Sequence, residues 1–442
     1  MADPADDSLA ARLRRLRGEG EAAVPAREAA ARPAPPARRV RRLAARTPSA
    51  ATPVTPGEAA LGLPDGLRAG EGPAGGWMAR ERAFPAAHRH GDWALAEVDA
   101  ASREAIALAA RDPSLATLDL LRAIYLDIET TGLSGGAGTV PFLVALGTFA
   151  GDGSFAVWQG FLRGPEEERA MLAEAARRLR AAEGIVSFFG KSFDRHRLED
   201  KMAIHGIAAP FAGKPHLDLY HPLRRLYGGA FPDGRLATLE RELCGLERQG
   251  DLAGRFAPEA WFDFLAGRGH RLEQVFQHNL DDVLSLVVLA AHLGRSLVER
   301  REDGRLLAGP GRERARGLSR LLGAPATRAA ALAWSERALA RDPSGDRSWR
   351  LFHADLLRGS GRWPDALELY AILAGEAEDE VAARAALELA KLHEHRRGDP
   401  SQARAAVQAA RRIAERAATG AARSRLLADC ARREARLGAE RR

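Results

Sequence analysis

The chain has 442 residues, 46% of them hydrophobic, long enough for two or three domains with real cores. Its formal charge of +7 arises from 66 basic against 59 acidic residues, but only four of the basic residues are lysine. This Arg and Ala bias reads as genome composition and says little about a polyanionic partner. Two widely separated cysteines, Cys244 and Cys430, exclude a disulfide framework and a cysteine metal site. No apolar run approaches the roughly 20 residues of a membrane span and the N-terminus lacks the order of a secretory signal, so a soluble, cytoplasmic protein is expected.

Residues 1–75 are rich in Ala, Arg, Pro and Gly without sustained apolar periodicity. Such a segment cannot bury enough surface to offset its ordering entropy, so a disordered arm is expected there. From Trp77 the composition turns globular. In the lead-in Phe84-Pro85-Ala86-Ala87-His88-Arg89-His90-Gly91, the two histidines beside a glycine read as a turn rather than as metal ligands. Helical patterning near 101–122 is followed by strand-like runs at 122–129, 139–149 and 155–163, whose short Gly-containing connectors predict an antiparallel meander. Pro165 with Glu166, Glu167 and Glu168 has the composition of a helix start, and Gly184 of its stop. A short strand at 185–189, a helix from Asp194 to Gly206 and a long helix at about 271–297 complete a mixed-sheet α/β domain over 76–300. Beyond Gly304 the pattern is all helical. Ala331, Ala366 and Ala403 recur about 35 residues apart, each in an amphipathic segment, and a period near 34 is the tetratricopeptide signature. Residues 310–442 are therefore expected to form a tetratricopeptide-like helical repeat domain, a surface suited to a protein partner.

The stretch Asp127-Ile128-Glu129-Thr130-Thr131-Gly132 ends the apolar run Ile124-Tyr125-Leu126. Positions i and i+2 of a strand face the same way, so Asp127 and Glu129 form a carboxylate pair. Burying two such charges together is costly unless a cation sits between them, which is how a divalent-metal site begins. Thr130, Thr131 and Gly132 supply hydroxyls and bare backbone where a substrate can approach. Gly190-Lys191-Ser192-Phe193-Asp194 follows a strand and opens a helix. Asp194 suits a helix cap as well as a ligand, and Lys191 offers a point charge to a phosphate. On the long helix His278 and Asp282 are four apart and share a face, while Asp281 points away toward solvent.

Asp127, Glu129, Asp194 and Asp282, in this order on a strand, a strand–helix join and a closing helix, resemble the DEDD exonuclease superfamily with its ribonuclease H-like fold. The resemblance is strongest to the YprB-type ribonuclease H-like domain proteins. It extends through Phe84 to Gly91, through Gly135-Gly136-Ala137-Gly138-Thr139, through His216-Leu217-Asp218-Leu219-Tyr220-His221-Pro222, and through Leu239-Glu240-Arg241-Glu242-Leu243. It implies a ribonuclease H-like mixed sheet, an antiparallel meander plus parallel strands, flanked by helices. The implied activity is 3′–5′ exonucleolytic hydrolysis of phosphodiester bonds at a single-stranded nucleic-acid end. Two Mg²⁺ or Mn²⁺ ions would be held by Asp127, Glu129, Asp194 and Asp282, and His278 would orient or deprotonate the attacking water. The chain departs from the superfamily in placing a histidine where the tyrosine spacing is usual, and Phe189 where related motifs often carry Asn. Asp218 reads as an auxiliary acid or as a cap. The alternative is a catalytically weak or inactive scaffold that binds nucleic acid and acts through its helical repeats.

Overall fold

A computed structural model describes residues 63–132, 138–248, 254–343 and 346–439. The β-branched and aromatic run before Asp127 builds the central strand of a seven-stranded sheet. In chain order the strands are β1 (Leu67–Gly72), β2 (Gly75–Phe84), β3 (Ala123–Thr130), β4 (Pro141–Phe149), β5 (Phe155–Phe161), β6 (Gly184–Ser187) and β7 (His216–Asp218). They lie side by side in the order β1-β2-β5-β4-β3-β6-β7. The expected meander β3-β4-β5 is antiparallel and continues into the β1-β2 hairpin, while β6 and β7 add to the other edge of β3 in parallel. This is the ribonuclease H-like mixed sheet expected from the motifs.

Two boundaries differ from the sequence reading. The arm was expected to reach residue 75, yet the sheet starts at Leu67; the part of the arm at 1–62 lies outside the described residues. The glycine-rich hairpin lacks an apolar alternation because it is held by backbone pairing, and the Trp77 ring lies across the bare backbone of Gly70 opposite it. Gly184 does not stop a helix but opens β6, because parallel pairing with Ala123 recruits it into the sheet.

Helices cover the sheet: α1 (Arg103–Ala110), α2 (Glu168–Ala181), α3 (Asp194–Ile204), α4 (Tyr220–Tyr227), α5 (Ala257–Leu265) and the long α6 (Leu272–Gly294). Helix α6 is apolar almost all round from Val283 to Leu293, since it lies on β3, β4 and β5 and is itself covered by α1 and the segment before it. Seven helices follow, α7 (Gly311–Leu321), α8 (Arg328–Arg341), α9 (Arg347–Gly359), α10 (Trp363–Glu376), α11 (Glu380–Leu392), α12 (Pro400–Ala417) and α13 (Gly420–Ala439). Each packs on the next, and Ala331, Ala366 and Ala403 are all fully buried where helices meet. The helical region is not a detached bead. Ala315, Leu318, Trp334 and Trp349 share one core with Leu223, Leu226 and Tyr227 of α4. Gly317 permits this: a Cβ there would lie 2.7 Å from the Arg225 carbonyl and from Leu226 Cα. Among the described residues no helix is long and apolar enough to cross a membrane.

Candidate active site

Asp127 and Glu129 stand at the end of β3 on one face, opposite Ala145 and Leu143 of β4, and the pairing register shifts between Glu129 and Thr130. That irregularity ends the strand beside the acids. The hydroxyl of Thr130 donates to the Gly132 carbonyl (3.0 Å), and the hydroxyl of Thr131 accepts from the Val140 amide (3.0 Å). Both threonines thus shape the turn after the strand. Gly135, Gly136 and Ala137 lie outside the described residues.

The third acid comes from the β6–α3 join. Asp194 opens α3 and is buried. Gly190 lets it sit there, because a Cβ at 190 would lie 2.5 Å from Ser187 Oγ and 2.9 Å from Asp194 Oδ2. Phe189 adopts the left-handed conformation, φ 59°, with its ring 45% exposed. Asn tolerates that backbone far better than Phe. The strained turn is clasped by Asp218, whose carboxylate accepts from the amides of Phe189 (2.8 Å), Lys191 (3.2 Å) and Tyr220 (3.2 Å). Of the two roles the sequence left open for Asp218, its contacts are those of a cap and loop clasp. Lys191 turns its ammonium toward Asp112, 3.8 Å away.

Helix α6 supplies the third face. His278 Nε2 lies 3.9 Å from Glu129 Oε1 and 3.6 Å from Asp282 Oδ2, so the strand pair and the helix pair meet. Asp281 accepts from Gln277 (2.9 Å) away from the cluster. Three features escaped the sequence reading: Asn279, the polar chain behind it, and Arg248. Asn279, fully buried, donates Nδ2 to Asp127 Oδ2 (2.7 Å). Its carbonyl oxygen accepts from Gln159 (2.9 Å), which in turn accepts from Arg80 (3.0 Å), and Arg80 pairs with Glu273 (2.7 Å). A buried polar chain therefore runs through the sheet to Asp127 and fixes its carboxylate. Its sequence signal was a polar residue at a core position of α6, next to His278. The third is Arg248, which donates to Asp282 Oδ1 (2.5 Å), to Glu240 Oε2 (2.9 Å) and to His278 Nδ1 (3.2 Å). It stands in a polar loop with no periodicity, and nothing in the sequence marks it. The turn expected at Gly91 is a tight hairpin between Arg89–His90 and Trp93–Ala94, and buried His90 rests 2.8 Å from Ser285 Oγ on α6.

Burial, followed by repulsion from Asp282, Asp194 and Glu129, pushes the Asp127 carboxyl well above the carboxylate range, with the Asn279 hydrogen bond opposing. Asp194 is pushed up to about 8 by burial first, then by Asp218 and Asp282. Burial works against the Arg248 charge, but Asp282 and Glu240 outweigh it and hold the guanidinium further up. Because a guanidinium has no acceptor, its bond to His278 Nδ1 leaves the neutral ring's proton on Nε2, facing the acids. Crowded carboxylate oxygens that resist ionising together suit a hard divalent cation. Among the described residues, though, no three side chains of His, Cys, Asp or Glu are gathered to hold an ion as they stand. The donor chemistry fits a cation, while Arg248 pairs with one member of the cluster, Asp282, and with Glu240.

The fold is that of a ribonuclease H-like domain. Residues 124–294, from β3 to the end of α6, match the model of the RNase H superfamily. The chain is also similar to the uncharacterized protein YprB of Bacillus subtilis (strain 168), 28% identical over 327 residues that cover 72% of this chain and 76% of that protein.

Proposed function

We propose that the protein is a metal-dependent nuclease, a cytoplasmic 3′–5′ exonuclease of the DEDD type acting on a single-stranded nucleic-acid end. The observation that carries the reading is the meeting of Asp127, Glu129, Asp194 and Asp282 at one end of β3 in a ribonuclease H-like sheet, with His278 between Glu129 and Asp282. These four acids would hold two Mg²⁺ or Mn²⁺ ions, whose chemistry when bound is to neutralise phosphate charge and activate water. The chain's own groups do the rest. Asn279 holds Asp127 in one orientation. His278 takes a proton from the attacking water at Nε2, which requires that nitrogen to be bare, so Arg248 must first release Nδ1 to carry the ring proton. Thr130, Thr131 and Gly132 border the scissile group, and Lys191 faces the phosphate once it leaves Asp112. The helices from α7 onward form a tetratricopeptide-like domain open to a protein partner.

One observation favours a second reading. Asp282, already ion-paired to Arg248, fits a weakly active or inactive nucleic-acid-binding scaffold. The deciding assay incubates 5′-labelled DNA and RNA single strands with the protein and Mg²⁺, Mn²⁺ or EDTA. A ladder shortening from the 3′ end, lost in EDTA and in Asp127→Ala, is expected. Internal cuts would replace the exonuclease by an endonuclease, and absence of metal-dependent cleavage on every substrate would leave the scaffold.

A further inference from the structure

Among the described residues most arginines are matched to a carboxylate, as Arg163 is to Glu167, Arg271 to Asp263 and Arg411 to Glu434. One cavity of about 510 Å³, at the junction of α4 with α7, breaks that rule. Arg111, Arg224, Arg225, Arg312, Arg316 and Arg320 line it against a single acid, Glu313. Glu313 is taken by Arg312 (2.6 Å). The other five make no ion pair among the described residues. Arg224 bonds the Tyr220 hydroxyl (2.8 Å), Arg225 bonds the Ala109 and Ala110 carbonyls (3.0 Å each), and Arg316 and Arg320 stand over the Trp349 ring at 5.2 Å. Stacking and carbonyl bonds hold these side chains in place without cancelling their charge. Burial first, and then repulsion from the neighbouring Arg111, hold the Arg225 pKa down. Gly317, by letting α7 touch α4, creates the junction.

Two series of contacts lead from the cavity toward the acid cluster. Arg224 also lines an adjoining cavity of about 280 Å³ with Tyr220, and Tyr220 meets the exposed Phe189 ring edge-on at 5.1 Å, beside Gly190 and Asp194. Lys191, from the same loop, reaches Asp112, the neighbour of Arg111 in the chain. Aromatic rings next to a groove lined by arginines, five of the six without a carboxylate partner among the described residues, match the way single strands are held, bases on rings and phosphates on cations.

We propose that this arginine cavity seats the phosphodiester backbone of a single strand upstream of the end that lies at the acid cluster, with Phe189 and Tyr220 as the stacking platform between them. The identity of the polymer rests on the nuclease reading above. The site requires the helical region, because Arg312, Arg316 and Arg320 all lie on α7. The C-terminal helices thus take part in substrate binding as well as in any protein contact.

The test measures fluorescence anisotropy of 5′-labelled oligothymidylate with the full chain in EDTA across a salt series, so that it answers whether or not the protein cleaves. Relative to wild type, Arg316→Gln/Arg320→Gln should weaken binding about tenfold or more at low salt and flatten the log–log salt slope by roughly 0.7 per arginine. Arg316→Lys/Arg320→Lys should restore most of both. An unchanged slope in the Gln pair, an equal loss in the Gln and Lys pairs, or displacement by polyglutamate or inorganic phosphate as effective as by unlabelled oligonucleotide would each overturn the proposal. Failure of every cleavage assay with the arginine-dependent slope intact would remove the nuclease reading and leave the strand-binding cavity standing.

Discussion

Replacing Arg248 by Gln separates a structural ion pair from a cation that stands where metal is to act. In the folded protein its guanidinium spans Asp282 and Glu240, and the Glu240 side chain is only 1% exposed. Removing one partner of such a buried set leaves the other charges unpaired, at a cost of about 3–5 kcal/mol. At about 2–4 °C per kcal/mol, the melting temperature in EDTA should fall by roughly 6–20 °C, toward the low end for a cooperative unit this large. The same guanidinium opposes metal. Two unit charges about 4 Å apart repel by about 4 kcal/mol at an effective dielectric of 20, and a divalent ion doubles that to about 8. Wild type must therefore displace Arg248 before Asp282 can take part in holding an ion, whereas Arg248→Gln need not. Differential scanning fluorimetry with a Mn²⁺ titration should show a larger stabilisation and a lower midpoint concentration in the variant, with about 2.7 kcal/mol regained at a hundred times the dissociation constant. Equal Mn²⁺ response in both proteins, or none in either, would refute the idea that Arg248 and a cation compete for these acids.

Asp194 gives a pH test with a definite sign. Its folded carboxyl is pushed up to about 8, so the metal-free fold binds a proton that the unfolded chain has already lost, and stability falls as pH rises from about 4 through about 8. Asp194→Asn should abolish that part of the decline, making the variant more heat-stable than wild type at pH 8 in EDTA; a less stable variant would contradict the crowding. Buried His216 and His292, both lowered to about 3 chiefly by burial, act the other way: they contribute stability above about pH 6.5 that is lost as pH falls toward 3. Each variant is therefore compared with wild type at one pH. Phe189→Asn relieves a left-handed backbone worth about 1–2 kcal/mol, offset by a half-exposed ring, so melting should stay within a few degrees while single-strand binding in EDTA loses about 1–3 kcal/mol of stacking. Unchanged binding would remove Phe189 from the platform. Asn279→Leu strands Gln159 Nε2 and Asp127 Oδ2 without one partner and should cost about 2–4 kcal/mol, read from urea midpoints; a neutral result would mean the chain Arg80–Gln159–Asn279 does not position Asp127.

The sequence determined by itself what short-range pattern can encode. Alternation placed Asp127 and Glu129 on one face of a strand, i,i+4 spacing placed His278 and Asp282 on one turn, the glycine connectors predicted the β3-β4-β5 meander, and the spaced alanines marked buried helix contacts. These follow from the backbone repeat alone, so they survive whatever the chain packs against. Tertiary structure decided the rest. The β1-β2 hairpin has little apolar pattern because pairing with β5 holds it, and Gly184 became strand because its partner strand lies far off in sequence. Arg248 and Asn279 enter the acid cluster from a loop and from a core helix position, where one residue's charge or amide acquires meaning from Asp282 and Asp127, 34 and 152 positions away. The arginine cavity is the plainest case. In the sequence its six members look like the compositional bias that made the net charge uninformative, and only the contact of α4 with α7 gathered them around one cavity, five of them without a carboxylate partner among the described residues.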